Sequence, residues 1–172
     1  MSGPLAGFKV IDMTSVISGP LSTMILADQG AEVIKVENPD GGDFARALSN
    51  RRGGFSASFL NNNRSKRSIA VDTKKSEGME IEKKLLRTAD VFIIDDIQFI
   101  RGKESLQEEF FHTFNSLMDK GSQIIISSDR TPMKLDRVQE RIKSRLAGGL
   151  VVDIDAPDLE LKIKIIKKKI IE

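Results

Sequence analysis

Two adjacent carboxylates offer the clearest chemistry in this sequence. Asp95 and Asp96 directly follow the apolar run Val91–Ile94. An apolar run that ends in acids is typical of a buried parallel strand whose carboxyl end borders a ligand site. Carboxylate oxygens are also the ligands that Mg²⁺ prefers in proteins. The pattern therefore indicates a metal site, and a solvated acidic pair at a strand end is the alternative interpretation.

Few other groups in the sequence could perform catalysis. The chain has no cysteine, which excludes disulfides, thiolate metal ligands and thiol nucleophiles. Its one histidine, His112, lies in the helical stretch EEFFHTFN, and we expect it to be a structural or surface residue and not a base. The net charge of +2 predicts no strong attraction to polyanions.

Composition predicts a soluble globular protein. Hydrophobic residues make up 40% of the 172 residues and charged residues 30%, which suits one domain spanning residues 1–172. No apolar run approaches the roughly 18 residues that a membrane-spanning helix requires. The N-terminus lacks a secretory signal pattern, so we expect a cytoplasmic, soluble chain with no membrane partner.

The elements that would position the acids alternate between strands and helices. The predicted strands are residues 8–13, 31–37, 68–72, 91–95, 123–127 and 150–154. Apolar residues at helical spacing separate them. For the first helix, Ser18 or Gly19 is the predicted N-cap, and Pro20 takes the first helical position. A polar stretch, residues 39–66, is predicted to be a long loop with a short helix at 43–48 and an extended piece at 55–60.

This alternation predicts an α/β fold. We expect a three-layer Rossmann-like or P-loop-like open parallel sheet of about six strands, with helices on both faces. The sequence leaves two strand orders open. A doubly wound sheet would run 3-2-1-4-5-6, whereas in the other arrangement the first strand lies beside residues 150–154.

Residues 5–90 resemble the N-terminal part of family III CoA-transferases. The resemblance rests on LAGFKVIDMT, the ISGP turn, LADQGAEVIKVENPDGGD and NRSKRSIAVDTKKSEG. It implies a CoA site at the turn after the first strand and before the third strand. The implied CoA-binding residues are Val16, Ile17, Ser18, Gly19, Lys66 and Arg67. Amide groups at a helix N-terminus with basic side chains nearby suit phosphates.

The alternative is that this turn only shapes a helix start and that Lys66 and Arg67 are a solvated pair. We favour that alternative because the other walls of a CoA site have no counterpart in the sequence. The resemblance ends before the family's catalytic aspartate, so we expect no CoA transfer.

Residues 90–172 resemble the AAA+ domain of the bacterial replication initiator family DnaA. The resemblance rests on DVFIIDDIQFIRGKESLQEEFFHTFNSLMDKGSQIIISSDR and on LDRVQERIKSRLAGGLVVDIDAPDLELKIKIIKK. It implies that VFIIDD is a Walker B strand, with Asp95 on Mg²⁺ and Asp96 positioning the attacking water. It further implies Asp129 as a sensor residue and Arg145 as an arginine finger with Arg141 beside it.

The phosphate-binding pattern GxxxxGK[ST] does not occur in these 172 residues. We therefore expect no ATP hydrolysis, and we interpret Asp95 and Asp96 as remnants of a metal site. The resemblance does not include the family's helix-turn-helix domain, so we also expect no sequence-specific DNA binding.

Together the two resemblances predict a chimera of fragments 1–90 and 91–172, which meet at Ala89-Asp90-Val91. We expect an engineered α/β scaffold without native catalytic function, cofactor or specific partner. The first alternative is weak binding of CoA or an adenine nucleotide such as Mg-ATP, and the second is residual CoA-transferase or ATPase activity. An exposed sheet edge would favour a homodimer.

Overall fold

Five parallel strands form one sheet in the computed structural model, which describes residues 3–48 and 51–171. The strands in chain order are β1 (Lys9–Asp12), β2 (Glu32–Glu37), β3 (Arg51–Arg52), β4 (Phe55–Ser56), β5 (Arg67–Ala70), β6 (Val91–Ile94) and β7 (Gln123–Ile126). The sheet order is β5-β2-β1-β6-β7, and β3 pairs with β4 as a separate antiparallel hairpin. In the order of the predicted strands this is 3-2-1-4-5. The doubly wound arrangement is confirmed for these five strands, and the alternative that moved the first strand is wrong.

Helices cover both faces of the sheet. They are α1 (Ser18–Asp28), α2 (Ala57–Asn63), α3 (Ser76–Leu86), α4 (Glu104–Lys120), α5 (Glu140–Ala147) and α6 (Leu159–Ile171). Short 3₁₀ turns occupy Phe44–Arg46, Ile97–Ile100 and Pro132–Lys134. In the part of the chain that the structure describes, no helix is both long and apolar enough to span a membrane.

Alternating strand side chains build two cores. On one face Val10 of β1 and Val33 of β2 pack with Ala27 of α1. On the other face a larger cluster combines strand residues with side chains from α3, α4 and α5; its members include Ile11, Leu86, Phe92, Ile94, Phe110, Phe114 and Ile142. The predicted three-layer α/β class is therefore confirmed.

Strand β6 joins the two halves of the chain. It pairs with β1 along one edge, where Val10 lies opposite Val91, and with β7 along the other. Immediately before it, the Asp90 carboxylate accepts the Lys9 backbone N–H at 2.9 Å. The Asp90 carbonyl accepts the Gln123 backbone N–H at 2.9 Å. The junction is thus hydrogen-bonded to residues from both fragments.

The predicted sixth strand is wrong. Residues 150–154 form no strand, and all five are exposed. A strand exists only through the ladder that it makes with a neighbour, and the sheet ends at β7 instead. An apolar run looks the same in sequence whether or not it reaches a sheet edge.

Two local predictions in the first half also need correction. Ile17, and not Ser18 or Gly19, is the N-cap of α1, so Pro20 lies at the third helical position. Residues 55–60 are extended only at Phe55–Ser56, because the Ser56 hydroxyl accepts the Phe59 N–H and caps α2. The predicted short helix at 43–48 is present as the 3₁₀ turn Phe44–Arg46.

Candidate functional site

The carboxyl ends of the central strands bring the candidate residues to one edge of the sheet. Strand β1 ends in Asp12, β6 is followed by Asp95, and β7 is followed by Ser127. These three strands are adjacent and parallel, so their carboxyl ends share an edge. Two polar clusters lie there, one contributed by each half of the chain.

The first cluster is a buried charge network of Asp12, Lys35, Asp43 and Lys66. Lys66 Nζ lies 2.8 Å from Asp12 Oδ2, and Lys35 Nζ lies 2.8 Å from Asp43 Oδ2 and 4.0 Å from Asp12 Oδ2. All four side chains are at most 2% exposed. Two carboxylates and two ammonium groups balance in charge, which is the condition for burying ionised groups.

Polar neighbours complete the coordination of this network. Asp12 Oδ1 accepts the Thr14 hydroxyl and backbone N–H, and Oδ2 accepts the Thr23 hydroxyl from α1. Lys35 also donates to the Thr14 carbonyl at 2.9 Å. Burial opposes ionisation of Asp12, but the charges of Lys35 and Lys66 outweigh it and lower the pKa of this carboxyl. Asp12 therefore stays an anion inside the protein.

Lys66 is fully engaged by protein acceptors. Besides Asp12, its ammonium donates to the Pro20 carbonyl and to Asn63 Oδ1, each at 2.8 Å. An ammonium group has three donors, so these three bonds leave none for a phosphate. Burial lowers the pKa of Lys66, and the attraction of Asp12 opposes that shift. The geometry places Lys66 as a structural clamp between β1, α1 and α2.

Glu37 forms a second ion pair beside the network, in which the carboxylate is buried and the Arg46 side chain is 40% exposed. Arg46 meets its carboxylate with two nitrogens, at 2.8 and 2.7 Å, and the Ser68 hydroxyl donates to it at 2.7 Å. The Arg46 hydrogen bond is the main cause that lowers the pKa of Glu37 to about 2. This pair holds the 3₁₀ turn Phe44–Arg46 against the ends of β2 and β5.

The predicted phosphate turn is tied to the same network. The Val16 N–H donates to Asp43 Oδ1 at 3.0 Å, and Ser15 donates to the same oxygen. Val16 has a φ of 73°, a strained value for a β-branched residue. Ile17 and Ser18 are exposed, and Ile17 supplies no side-chain cap to α1. Asp43 thus fixes the turn, whereas the N-cap Ile17 and the first helical residue Ser18 face solvent.

Gly19 is required by a close approach. A Cβ atom built on Gly19 would lie 2.2 Å from Thr14 Cβ, well inside contact distance. This explains the glycine without a ligand. The neighbouring candidate Arg67 lies on the edge strand β5, where its 75% exposed side chain pairs with Glu32 at 2.8 Å.

The second cluster lies after β6 and β7. The Ser127 hydroxyl donates to Asp95 Oδ1 and accepts the Asp96 backbone N–H at 2.9 Å. Gln98 donates to Asp96 Oδ1 at 3.0 Å and accepts the Asp129 N–H at 3.4 Å. Asp96 has a φ of 58°, and it starts the turn Ile97–Ile100. Hydrogen bonds of Ser127 and Gln98 therefore link Asp95 and Asp96 to the backbone of Asp129.

Both arginine candidates of the second half, Arg141 and Arg145, lie on α5, but their surroundings differ. Arg141 pairs with Glu108 of α4 and stacks 4.4 Å from the Phe111 ring. Arg145 is exposed. Asp129 pairs with Arg130 at 2.8 Å, and this contact is the main cause that lowers the pKa of Asp129.

The donor set of the second cluster is a poor match to a metal centre. Asp95 and Asp96 supply two carboxylates, and each already accepts a protein hydrogen bond. Within residues 3–48 and 51–171, no group of three or more His, Cys, Asp or Glu side chains is arranged to hold a metal ion. A Mg²⁺ site made from protein ligands takes six oxygens, so the pair alone would leave most positions to water or phosphate.

Sequence reasoning missed three charged residues of the buried network. Asp12 ends an apolar run, the same signal that singled out Asp95, and could have been found by it. Lys35 lies inside the alternating run EVIKVE, where a lysine reads as a solvent-facing residue. Asp43 lies in the polar stretch 39–66, where no pattern distinguishes it. Lys66 was singled out, but for a phosphate and not for Asp12.

Comparison with known proteins identifies both halves. The model of CoA-transferase family III matches residues 5–95. The replication initiator DnaA of Wolbachia sp. subsp. Brugia malayi is 51% identical over 100 residues, which are 58% of this chain and 22% of that protein. The chain thus spans about a fifth of the length of this curated relative.

Solved structures of both families align with almost the whole chain. A CAIB/BAIF family protein from Brucella suis has a TM-score of 0.61 and 27% identity, covering 99% of this chain and 50% of its own. AMPPCP-bound DnaA from Aquifex aeolicus has a TM-score of 0.56 and 28% identity, covering 97% of this chain and 45% of its own. Because the family model matches more than half of its residues, the chain belongs to CoA-transferase family III, and its later part is similar to DnaA.

Proposed function

We propose that this chain is an engineered chimeric α/β scaffold without native catalytic function. In this proposal a CoA-transferase fragment, residues 1–90, is joined to a DnaA-like fragment, residues 91–172, so that strands of both fragments pair in one sheet. The scaffold takes no cofactor and has no sequence-specific DNA target. Its role in this proposal is only to fold, as a test of whether fragments of two α/β families can share one sheet.

The engagement of Lys66 carries this proposal. In the transferase half, it is a basic side chain that the resemblance assigns to CoA, yet its three donors go to Asp12, Pro20 and Asn63. Releasing it would leave a fully buried Asp12 carboxylate short of a counter-charge. A ligand at this place would have to offset that cost.

The DnaA-like half supports the proposal in the same way. Asp95 and Asp96 are hydrogen-bonded to Ser127 and Gln98, and Arg141 is paired with Glu108. These three groups thus have partners within the chain, whereas Arg145 is exposed. A phosphate-bridged metal would have to displace these bonds before any chemistry began.

Similarity of the sheets in the two families supports a junction that was placed by superposing their structures. A CAIB/BAIF protein and a DnaA each superpose on nearly the whole chain, including the half that came from the other family. The two parents therefore have equivalent strands where β6 lies. A natural genome that encodes this continuous chain would overturn the engineered origin.

Weak binding of CoA or an adenine nucleotide is the second candidate. One observation favours it: within the described residues, α1 begins without a side-chain cap and without an acid in its first turn. Free N–H groups at a helix N-terminus attract phosphate. The DnaA from Aquifex aeolicus carries AMPPCP, an ATP analogue, in its structure.

Calorimetric titration separates the two candidates. We expect no saturable heat when CoA or Mg-ATP is titrated to about 1 mM, a concentration that detects binding of about 4 kcal/mol. A saturable heat that Ser18→Glu abolishes would favour binding at α1. Ser76→Glu is the matched control, because Ser76 is an equally exposed first residue of α3.

Activity assays address the remaining alternative. We expect no ATP hydrolysis and no CoA transfer above the level of a buffer blank. ATP turnover that disappears in Asp95→Ala but persists in Asp136→Ala would overturn the inactive assignment. Asp136 is a suitable control because it is an exposed acid of the same half that pairs with Arg101 and Arg130.

A further inference from the structure

The C-terminal tail, residues 150–170, is apolar but has no cover. Every residue in it is exposed. Its large apolar side chains are 42–95% exposed, and they are Leu150, Val151, Val152, Ile154, Leu159, Leu161, Ile163, Ile165, Ile166 and Ile170. Four of them, Leu159, Ile163, Ile166 and Ile170, recur at helical spacing on one side of α6, and an exposed apolar side of this kind marks an interaction site. A helix of 13 residues such as α6 is also marginal in water unless its apolar face packs.

Charges in the tail are segregated along its length. The acids precede Leu161 and are Asp153, Asp155, Asp158 and Glu160. The lysines follow it and are Lys162, Lys164, Lys167, Lys168 and Lys169. Asp158 caps α6 by accepting the Leu161 N–H at 2.7 Å, and Glu160 pairs with Lys164 at 2.7 Å. The tail is therefore an acidic segment followed by a basic helix.

This arrangement is complementary to itself. Two tails that lie antiparallel about a twofold axis near Leu161 bring the acids of one copy opposite the lysines of the other. A parallel pair would place like charges together. An isologous twofold contact uses the same surface on both copies, as this pattern requires. An anionic membrane would attract the lysines but repel the acidic segment, so it fits the tail less well.

The exposed area is sufficient for a dimer. At roughly 100 Å² of apolar area per fully exposed side chain, the measured exposures amount to about 600 Å² of apolar surface on each copy. A standard interface buries about 800 Å² per partner, polar area included. Apolar and charged parts of the tail together reach that size.

We propose that the tail is a dimerisation element that pairs antiparallel with the tail of a second copy of this chain. The apolar side of α6 packs against its counterpart, and the acidic segment of each copy faces the lysines of the other. The fold of residues 3–147 does not depend on this contact, because both cores are complete before the tail begins. This interface is distinct from pairing through the sheet edge at β7.

Sedimentation equilibrium with single substitutions tests the apolar contact. Ile163→Asp should raise the dissociation constant at least about 100-fold, because each dimer loses two buried isoleucines. Ile81→Asp on α3 is the matched control, since Ile81 is 43% exposed and Ile163 is 42% exposed. Its dissociation constant should stay that of the parent. Ile81→Asp should keep the parent's circular dichroism spectrum, whereas Ile163→Asp should lose at most the helical signal of α6.

A charge exchange tests the orientation. The variant Asp153→Lys/Asp155→Lys and the variant Lys167→Glu/Lys168→Glu/Lys169→Glu should each dimerise about tenfold more weakly than the parent. An equimolar mixture should form a heterodimer of parental strength, because its antiparallel tails again face unlike charges. In a parallel pair each variant alone would face like charges, as the parent does, so neither variant would weaken the dimer and the mixture would bind more tightly than the parent.

Three results would overturn the proposal. The first is a monomer at all concentrations up to about 1 mM, where even weak self-association is visible. The second is a dimer whose dissociation constant is unchanged by the tail substitutions but which dissociates on Ile125→Lys at the edge of β7. That result would assign the contact to the sheet edge. The third is a monomer that binds vesicles of anionic lipid, which would assign the tail to a membrane surface.

Discussion

Replacing Lys66 by methionine tests whether this residue is a structural clamp. The substitution keeps the unbranched apolar stem of the side chain but removes the ammonium that meets Asp12, Pro20 and Asn63. Asp12 is 0% exposed and would keep Lys35 as its remaining counter-charge, at 4.0 Å. Removing one partner of a buried ion pair costs about 3–5 kcal/mol. Because Lys35 and two threonine hydroxyls still stabilise Asp12, we expect a loss of about 3 kcal/mol.

Urea denaturation at pH 7, followed by far-UV circular dichroism, measures this loss. Arg67→Met is the matched control, because Arg67 is the adjacent basic residue and its side chain is 75% exposed beside Glu32. An exposed pair contributes about 0–1 kcal/mol, so the control should stay within that range. In the CoA-binding interpretation both residues would contact CoA. In the structural interpretation Lys66 stabilises the fold and Arg67 contributes little.

A double variant identifies the cause of the loss. Asp12→Asn combined with Lys66→Met should be at least as stable as Lys66→Met alone, since the buried carboxylate has been removed together with its partner. If Lys66→Met instead costs less than about 1 kcal/mol, as Arg67→Met does, the ammonium is not buried against Asp12 and the reasoning is refuted.

Three further outcomes follow from the transferase half. The pKa of Glu37 is lowered to about 2 by Arg46, so its contribution to stability is complete above its ordinary value of 4.5 and is lost as the pH falls toward 2. The free-energy difference between the parent and Glu37→Gln should therefore shrink by at most about 3 kcal/mol between pH 6 and pH 2 in urea titrations. Gly19→Ala should destabilise the chain by about 1–3 kcal/mol in thermal melts, because its Cβ would overlap Thr14; an unchanged melting temperature would contradict the close approach. Val16→Gly should change stability by less than about 1 kcal/mol, since relief of the strain at a φ of 73° offsets the greater freedom of glycine in the unfolded chain; a loss above about 2 kcal/mol would show that the valine side chain itself is needed.

Most of the sheet was predictable because its strands have a simple signature. Strands β1, β2, β6 and β7 are short apolar runs, and each is separated from the next by a helix with an apolar face. The prediction failed at residues 150–154, which have the same signature. Whether such a run becomes a strand depends on a free neighbour in space, and a local pattern carries no information about that.

The candidate site was predictable only in part, for a related reason. Asp95 and Asp96 lie at adjacent strand ends as predicted, whereas Asp129 joins them only through its backbone N–H. Lys35 was missed because strand alternation predicts which face a residue points to, and not whether that face is covered. Here α1 and the turn at Asp43 cover it, so the lysine is 1% exposed. Long-range charge pairing compensates its burial, and such pairing leaves no periodic trace in the sequence.

In the proposed chimera, the same distinction would let the fold tolerate a junction while the chemistry is lost. A parallel ladder is formed by backbone groups, so β6 can pair with β1 and β7 whatever their side chains are, provided that it is apolar on both faces. Phe92 and Ile94 meet that condition toward one core, and Ile93 meets it toward the other. The strand ends are different, because a site there needs particular side chains from several strands at once. A crossover inside the sheet therefore preserves the ladder and both cores, but it separates each group at the carboxyl edge from the partners that its own family would supply on the far side of the junction.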